Sequence, residues 1–135
     1  MRNTGVWIDQ REANIIVIED SNIATKTIYS DVETRVRVEG EKKQFGRFGD
    51  QFLVDEKGKK NRIEEYTGRY LNKVLKEVEK ADEIMIFGPA STKLKLEKLI
   101  LDNPMTAVKL RDTKTSENMT DNQKIAYVKK YFGNN

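Results

Sequence analysis

Ile84-Met85-Ile86-Phe87 is a run of four large apolar residues with no polar position left to face water. A half-exposed strand alternates apolar and polar residues. An unbroken run, bounded by Asp82-Glu83 and by Gly88-Pro89, is the pattern of a strand covered on both faces. The flanking sequence provides helices to cover it. Ile63, Tyr66, Tyr70, Val74 and Val78, with Thr67, Leu71 and Leu75 beside them, recur at helical spacing before the run. A second helix is expected over residues 93–101, with Leu94, Leu96, Leu99 and Ile100 apolar. Residues 106–110 read as a last strand with Val108 and Leu110 inward. A third helix begins at Thr120, whose Gln123 three residues on completes a Thr-x-x-Gln capping box. Ile125, Val128 and Phe132 form its apolar face.

The first third has a different period. Residues 5–9 and 13–19 are short apolar runs joined by the charged tip Gln10-Arg11-Glu12. A turn at Asp20-Ser21-Asn22 leads to a third segment. There Val32, Thr34, Val36 and Val38 alternate with Glu33, Arg35, Arg37 and Glu39, the period of two of a half-buried strand. The expected order is a three-stranded antiparallel meander followed by α-β-α-β-α. This is an α/β domain with a mixed five-stranded sheet and helices packed against it, the order of the ribonuclease H-like motif. At 135 residues one domain, 1–135, is expected.

Composition removes several chemistries. The chain has neither cysteine nor histidine, so it has no disulfide, no thiolate and no imidazole-assisted nucleophile, and it lacks the commonest zinc ligands. No cofactor and no metal are expected. The N-terminus shows no apolar signal region, and no apolar run approaches the roughly 20 residues of a membrane span. A soluble, cytoplasmic protein with no membrane partner is expected.

The charge is unevenly placed. The chain carries 25 Lys/Arg and 22 Asp/Glu; residues 40–62 hold seven of the former and four of the latter, leaving 18 of each elsewhere. The whole excess of +3 therefore sits in one glycine-spaced segment, expected to be a mobile loop. Lys42, Lys43, Arg47, Lys57, Lys59, Lys60 and Arg62 can neutralise phosphates. Phe45 and Phe48 either stack on unpaired bases or fold back to close one end of the sheet. A solvated loop is the plainer alternative for the segment. Gly88, Ser91 and Lys93 either cradle an anion at a helix N-terminus or form an ordinary strand-to-helix connection. Asp9 ends the first strand, where a two-metal nuclease would have one ligand, but residues 84–88 offer no acid where a second would belong; Asp112, after the last strand, could complete only a lone pair, and Asp9 also suits a turn before Arg11.

Three blocks bear a family resemblance. Gly5-Val6-Trp7-Ile8-Asp9-Gln10-Arg11-Glu12-Ala13 resembles the opening hairpin of the middle domain of eukaryotic and archaeal class I peptide-chain release factors. It is also similar to small stand-alone bacterial proteins classed as translational machinery components. Ile84-Met85-Ile86-Phe87-Gly88-Pro89-Ala90-Ser91-Thr92-Lys93 resembles their strand-Gly-Pro-helix block. Met119-Thr120-Asp121-Asn122-Gln123-Lys124-Ile125-Ala126 resembles the C-terminal helix start of the stand-alone group. The likeness runs over nearly the whole chain. It implies a translation-related, RNA- or ribosome-associated module. In release factors the interval occupied here by the basic segment carries a Gly-Gly-Gln loop that promotes peptidyl-tRNA hydrolysis. This chain has Phe48-Gly49-Asp50-Gln51 instead. Phe48 and Asp50 remove backbone freedom, and a carboxylate at Asp50 would oppose a developing oxyanion. Gln51 is thus either a catalytic remnant or an ordinary amide. The expectation is a non-catalytic binding module, with a peptidyl-tRNA or RNA hydrolase and a protein-interaction module as the alternatives.

Overall fold

A computed structural model describes the backbone of residues 1–32 and 50–133, and the side chains of those residues apart from 50–57. Three strands open the chain: β1 (Arg2–Ile8), β2 (Glu12–Glu19) and β3 (Asn22–Tyr29). A long helix, α1 (Asp50–Val78), leads to β4 (Glu83–Gly88). Then come α2 (Thr92–Asp102), the single turn α3 (Pro104–Ala107), β5 (Leu110–Thr115) and α4 (Asp121–Tyr131). The sheet order is β3-β2-β1-β4-β5. β1–β2 and β2–β3 are antiparallel hairpins, whereas β4 runs parallel to β1 and β5 parallel to β4. The mixed five-stranded α/β sheet expected from the sequence is present.

Period two sorts the side chains of β1 to two sides. Val6 and Ile8 join Ala13, Ile15, Ile84 and Ile86 on one face. Tyr70, Leu71, Val74 and Val78 of α1 and Leu96 and Ile100 of α2 cover them. Trp7 joins Ile16, Ile18, Met85 and Phe87 on the other, under Val128 of α4. Ile84, Met85, Ile86 and Phe87 are all fully buried, as an apolar run without alternation requires. Gly5 also faces α4: a Cβ there would meet the two Val128 methyl carbons at 2.4 and 2.8 Å. The missing side chain lets the helix approach the sheet. α4 starts on the expected capping box, since Thr120 Oγ1 accepts from Gln123 N at 3.2 Å and Gln123 Oε1 accepts from Thr120 N at 2.9 Å.

Three expectations are corrected. The third strand is Asn22–Tyr29, not a segment beginning at Val32. Residues 33–39 lie outside the described residues, and Val32 itself is buried but pairs with no strand. β3 gave no apolar alternation because nearly all of it is exposed; its β-branched Ile23, Thr25 and Thr27 suit the ladder with β2, and only Ile28 packs against the core. The last strand begins at Leu110 rather than ending there. Asn103 caps the turn at Pro104, accepting from Met105 N at 2.9 Å, and the buried Thr106 hydroxyl donates to Ile100 O at 2.7 Å. Val108 is consequently 72% exposed instead of inward. The segment expected as a loop as far as Arg62 is helical from Asp50 onward. The helix formers Glu56, Lys57, Lys59 and Lys60 outweigh Gly58, whose penalty is only about 1 kcal/mol. Among the described residues no helix is long and apolar enough to cross a membrane.

Candidate nucleic-acid interface

The candidate residues divide among three places. Lys42, Lys43, Phe45, Arg47 and Phe48 lie outside the described residues. Gln51 and Lys57 belong to α1. Lys59 and Lys60 are exposed on the same helix and Arg62 is half-buried. The basic segment therefore continues into a helix that is anchored to the sheet by Tyr70, Leu71, Val74 and Val78. That anchoring also reaches the first hairpin, where the Tyr70 hydroxyl donates to Asp9 O at 3.1 Å. Burial, then the nearby Asp9 and Glu12 carboxylates, push the Tyr70 phenol far above its ordinary range, so it remains the donor.

The β4–α2 turn has a different geometry. Gly88 has φ +151°, and a Cβ there would lie 2.3 Å from Ile8 O, so only glycine lets β4 end against β1. Ala90 takes a left-handed φ of +54°. Ser91 is the N-cap of α2, with no side-chain capping bond. Lys93 turns inward: the residue is 5% exposed, and its Nζ donates to Ala90 O within the turn. Gly88, Ser91 and Lys93 are thus brought into one turn, but the lysine closes that turn and is not presented to solvent.

The carboxylates considered for a metal each have local roles. Asp9 Oδ1 accepts from Arg11 N at 2.8 Å and Glu12 N at 2.9 Å, which makes Asp9 the turn residue of the hairpin. Asp112 Oδ1 accepts from Thr113 N at 2.9 Å. Among the described residues no group of three or more acids could hold a metal ion.

No known family's sequence profile matches the chain, and no curated protein matches it by sequence. Solved structures do match. The Thermoplasma acidophilum Pelota protein aligns with 96% of this chain at a TM-score of 0.59 and 15% identity. Archaeoglobus fulgidus Pelota aligns with 96% at a TM-score of 0.54 and 11% identity. The archaeal translation termination factor aRF1 aligns with 98%, at a TM-score of 0.44 and 8% identity, and 37% of its own chain is covered. The fold is shared with Pelota. This chain spans about a third of the Pelota structures it matches, 32% and 31% of their lengths. The likeness to Pelota is one of fold, and it runs over the same span of chain as the three sequence blocks.

The Pelota-like fold also explains why those blocks occur together. Gly5 of the first block accommodates Val128, just past the third block, and Gly88 of the second lies against Ile8 of the first. Lys124 of the third block is buried with its Nζ 3.7 Å from the Trp7 ring centroid, and it donates to Asn14 Oδ1. Asn14 Nδ2 in turn donates to Glu12 at 3.1 Å and to Thr27 at 3.0 Å. The buried amine was not found from the sequence, where Lys124 looks like any helix lysine. Its one signal is position: it stands one turn before Val128, on the apolar side of α4. A second group passed over comprises the exposed cations of α1 beyond Arg62, namely Arg69, Lys73 and Lys76. Their spacing by three and four residues was the available signal.

Proposed function

We propose that this protein is a cytoplasmic, translation-related binding module that engages RNA, on the ribosome, through the basic segment at residues 40–62. The observation that carries this reading is the charge arithmetic. The chain's entire positive excess lies in that segment, and the segment runs into a helix anchored on a release-factor-like fold. Lys42, Lys43, Arg47, Lys57, Lys59, Lys60 and Arg62 neutralise phosphates, and Phe45 and Phe48 offer rings to unpaired bases. The fold shared with Pelota supports a place in translation.

The module acts without catalysis of its own. Phe48-Gly49-Asp50-Gln51 stands where release factors have a flexible pair of glycines before the glutamine. Asp50 brings negative charge to the place where hydrolysis would develop an oxyanion. The Gly88–Lys93 turn serves as a connection, because its lysine is already engaged.

The test is co-migration with ribosomes on sucrose gradients, with and without ribonuclease, for the wild type and for a variant with Lys42, Lys43, Arg47, Lys59 and Lys60 changed to Gln. Ribonuclease-sensitive association that the variant loses, at an unchanged melting temperature, is expected. Equal association of wild type and variant would overturn the reading. Hydrolysis of peptidyl-tRNA on ribosomes that disappears in Gln51→Ala would overturn the non-catalytic part.

A further inference from the structure

The exposed side of α1 carries charges of both signs, and they are sorted. Successive helical residues turn by roughly 100°. Counted from Arg62, the positions of Tyr66, Arg69, Lys73 and Lys76 therefore return to within about 40° of it. Arg69, Lys73 and Lys76 are exposed, and Arg62 and Tyr66 are half-buried. The row flanks the buried side formed by Tyr70, Leu71, Val74 and Val78, so packing of the helix leaves it on the surface. Glu64 and Glu79 fall at least about 100° away on the same count. The two acids nearest the row are bound. Glu65 accepts from Arg69 Nη2 at 2.5 Å, and Glu77 pairs with Lys26 at 2.7 Å and Lys80 at 3.6 Å. Arg69 is also held over the Tyr66 ring, 5.3 Å from its centroid.

Resting on the RNA-binding reading above, we infer that this row is a second contact for the same RNA, a rail for its sugar-phosphate backbone that extends the basic segment along α1. At a rise of ~1.5 Å per residue, Arg62 to Lys76 covers about 20 Å, enough to follow several successive phosphates. The rail begins at Arg62, the last cation of the basic segment, so one strand can remain in contact as it passes from segment to helix. Its C-terminal end adjoins Lys80 and Lys26, which meet around Glu77. Apolar docking is not what the row offers: its members are cations around one tyrosine. The complementary partner is a polyanion with closely and regularly spaced charges.

The experiment is fluorescence anisotropy of a labelled RNA hairpin carrying a single-stranded tail, titrated with the full chain over a salt series. A variant with Arg69→Gln, Lys73→Gln and Lys76→Gln should bind roughly tenfold more weakly at low salt. Its plot of log affinity against log salt should be shallower by about 2, as expected for three lost phosphate contacts. Glu65→Gln should bind a few-fold more tightly, because it frees Arg69 and removes a negative charge that repels the RNA phosphates. Lys95→Gln with Lys98→Gln, on the exposed side of α2, removes two charges away from the rail, against three in the rail variant, and should leave the slope unchanged. If the α1 variant keeps the wild-type slope while the 40–62 variant loses binding, the rail is refuted and the RNA reading stands. If the wild type does not bind the hairpin at any salt, the RNA reading falls first. An equal loss in the α2 control would reduce the rail to nonspecific net charge and refute it.

Discussion

The two faces of the sheet are held by different physics. On one, mostly aliphatic residues of β1, β2 and β4 meet two helices, and the packing is chiefly area burial, with the Tyr70 hydroxyl bond to Asp9 O at its rim. On the other, among the described residues, α4 lies over a glycine, a tryptophan and a phenylalanine, and Phe87 stacks on Tyr127 with centroids 4.5 Å apart. That face also buries the Lys124 amine against Trp7 and Asn14. Area burial tolerates adjustment, because methyl groups on either side can share a shift. A helix seated over a missing side chain with a polar anchor has one position. The contrast indicates that the α4 face defines how the domain closes, while the α1–α2 face provides most of the apolar burial.

One-carbon changes on the two faces should break this symmetry most visibly. Gly5→Ala places a methyl 2.4 and 2.8 Å from the Val128 methyl carbons and 3.1 Å from its Cβ, so α4 must move as a unit. A cost toward the upper end of about 1–3 kcal/mol is expected, as for overpacking. Ile86→Val, which removes one carbon from the fully buried aliphatic face, should cost only about 0.5–1.5 kcal/mol. Urea unfolding of both variants measures this. Val128→Ala combined with Gly5→Ala should cost less than the sum of the two single changes. Strict additivity would mean that α4 yields freely, and the proposed distinction between faces would fail.

The faces also differed in how legible they were in the sequence. Ile84 to Phe87, the helical spacing through Val74 and Val78, and the Thr120 capping box could be read because each follows a local rule of period or hydrogen bonding. The release-factor-like blocks could be read for a related reason. Gly5, Trp7, Gly88 and Lys124 are packing residues that meet around β1, so the likeness reports the fold before it reports an activity. β3 was missed because it has no buried face to impose a period. The start of β5 was displaced because the Asn103-Pro104 turn and the Thr106 hydroxyl bond depend on where α2 ends. The Lys124–Asn14 contact joins residues 110 positions apart, which no local pattern records. Of the candidate interface, net charge was legible. Its sorting along α1 was also legible, in the three- and four-residue spacing of Arg69, Lys73 and Lys76 within the helix expected there; the extension of that helix back to Asp50 was not.

The buried amine allows a sharper test of the polar anchor. Lys124→Met retains most of the side-chain volume over Trp7 but leaves Asn14 Oδ1 without its lysine donor. A loss of about 1–2 kcal/mol is expected, the usual range for orphaning a buried acceptor. Adding Asn14→Leu should recover part of it, because it removes the orphaned acceptor, although the Asn14 bonds to Glu12 and Thr27 are lost with it. Thermal unfolding of the single and double variants checks the sign. If the double variant is simply the sum of two losses, Lys124 works through packing alone and the anchor is apolar after all.

The smallest effect belongs to the edge of the aliphatic face, where Glu77 ties the exposed strand β3 to α1 through Lys26. The hydrogen bond from Lys26 is the chief reason the Glu77 carboxyl titrates below its ordinary range; partial burial works against it, and the charges of Lys26 and Lys80 work with it. A carboxyl whose folded pKa is depressed adds stability above its unfolded value of about 4.3, and that stability is lost as pH falls through the folded value. The Glu77 side chain is 25% exposed and Lys26 58%, so screening keeps the gain within about 0.2–1 kcal/mol. Glu77→Gln should therefore be slightly less stable than wild type at pH 7 and indistinguishable from it near pH 3, with the pH 7 gap narrowing as salt rises. Urea midpoints at both pH values decide the matter. A gap that persists at pH 3 would mean that Glu77 holds β3 by packing, and the edge would then resemble the rest of its face.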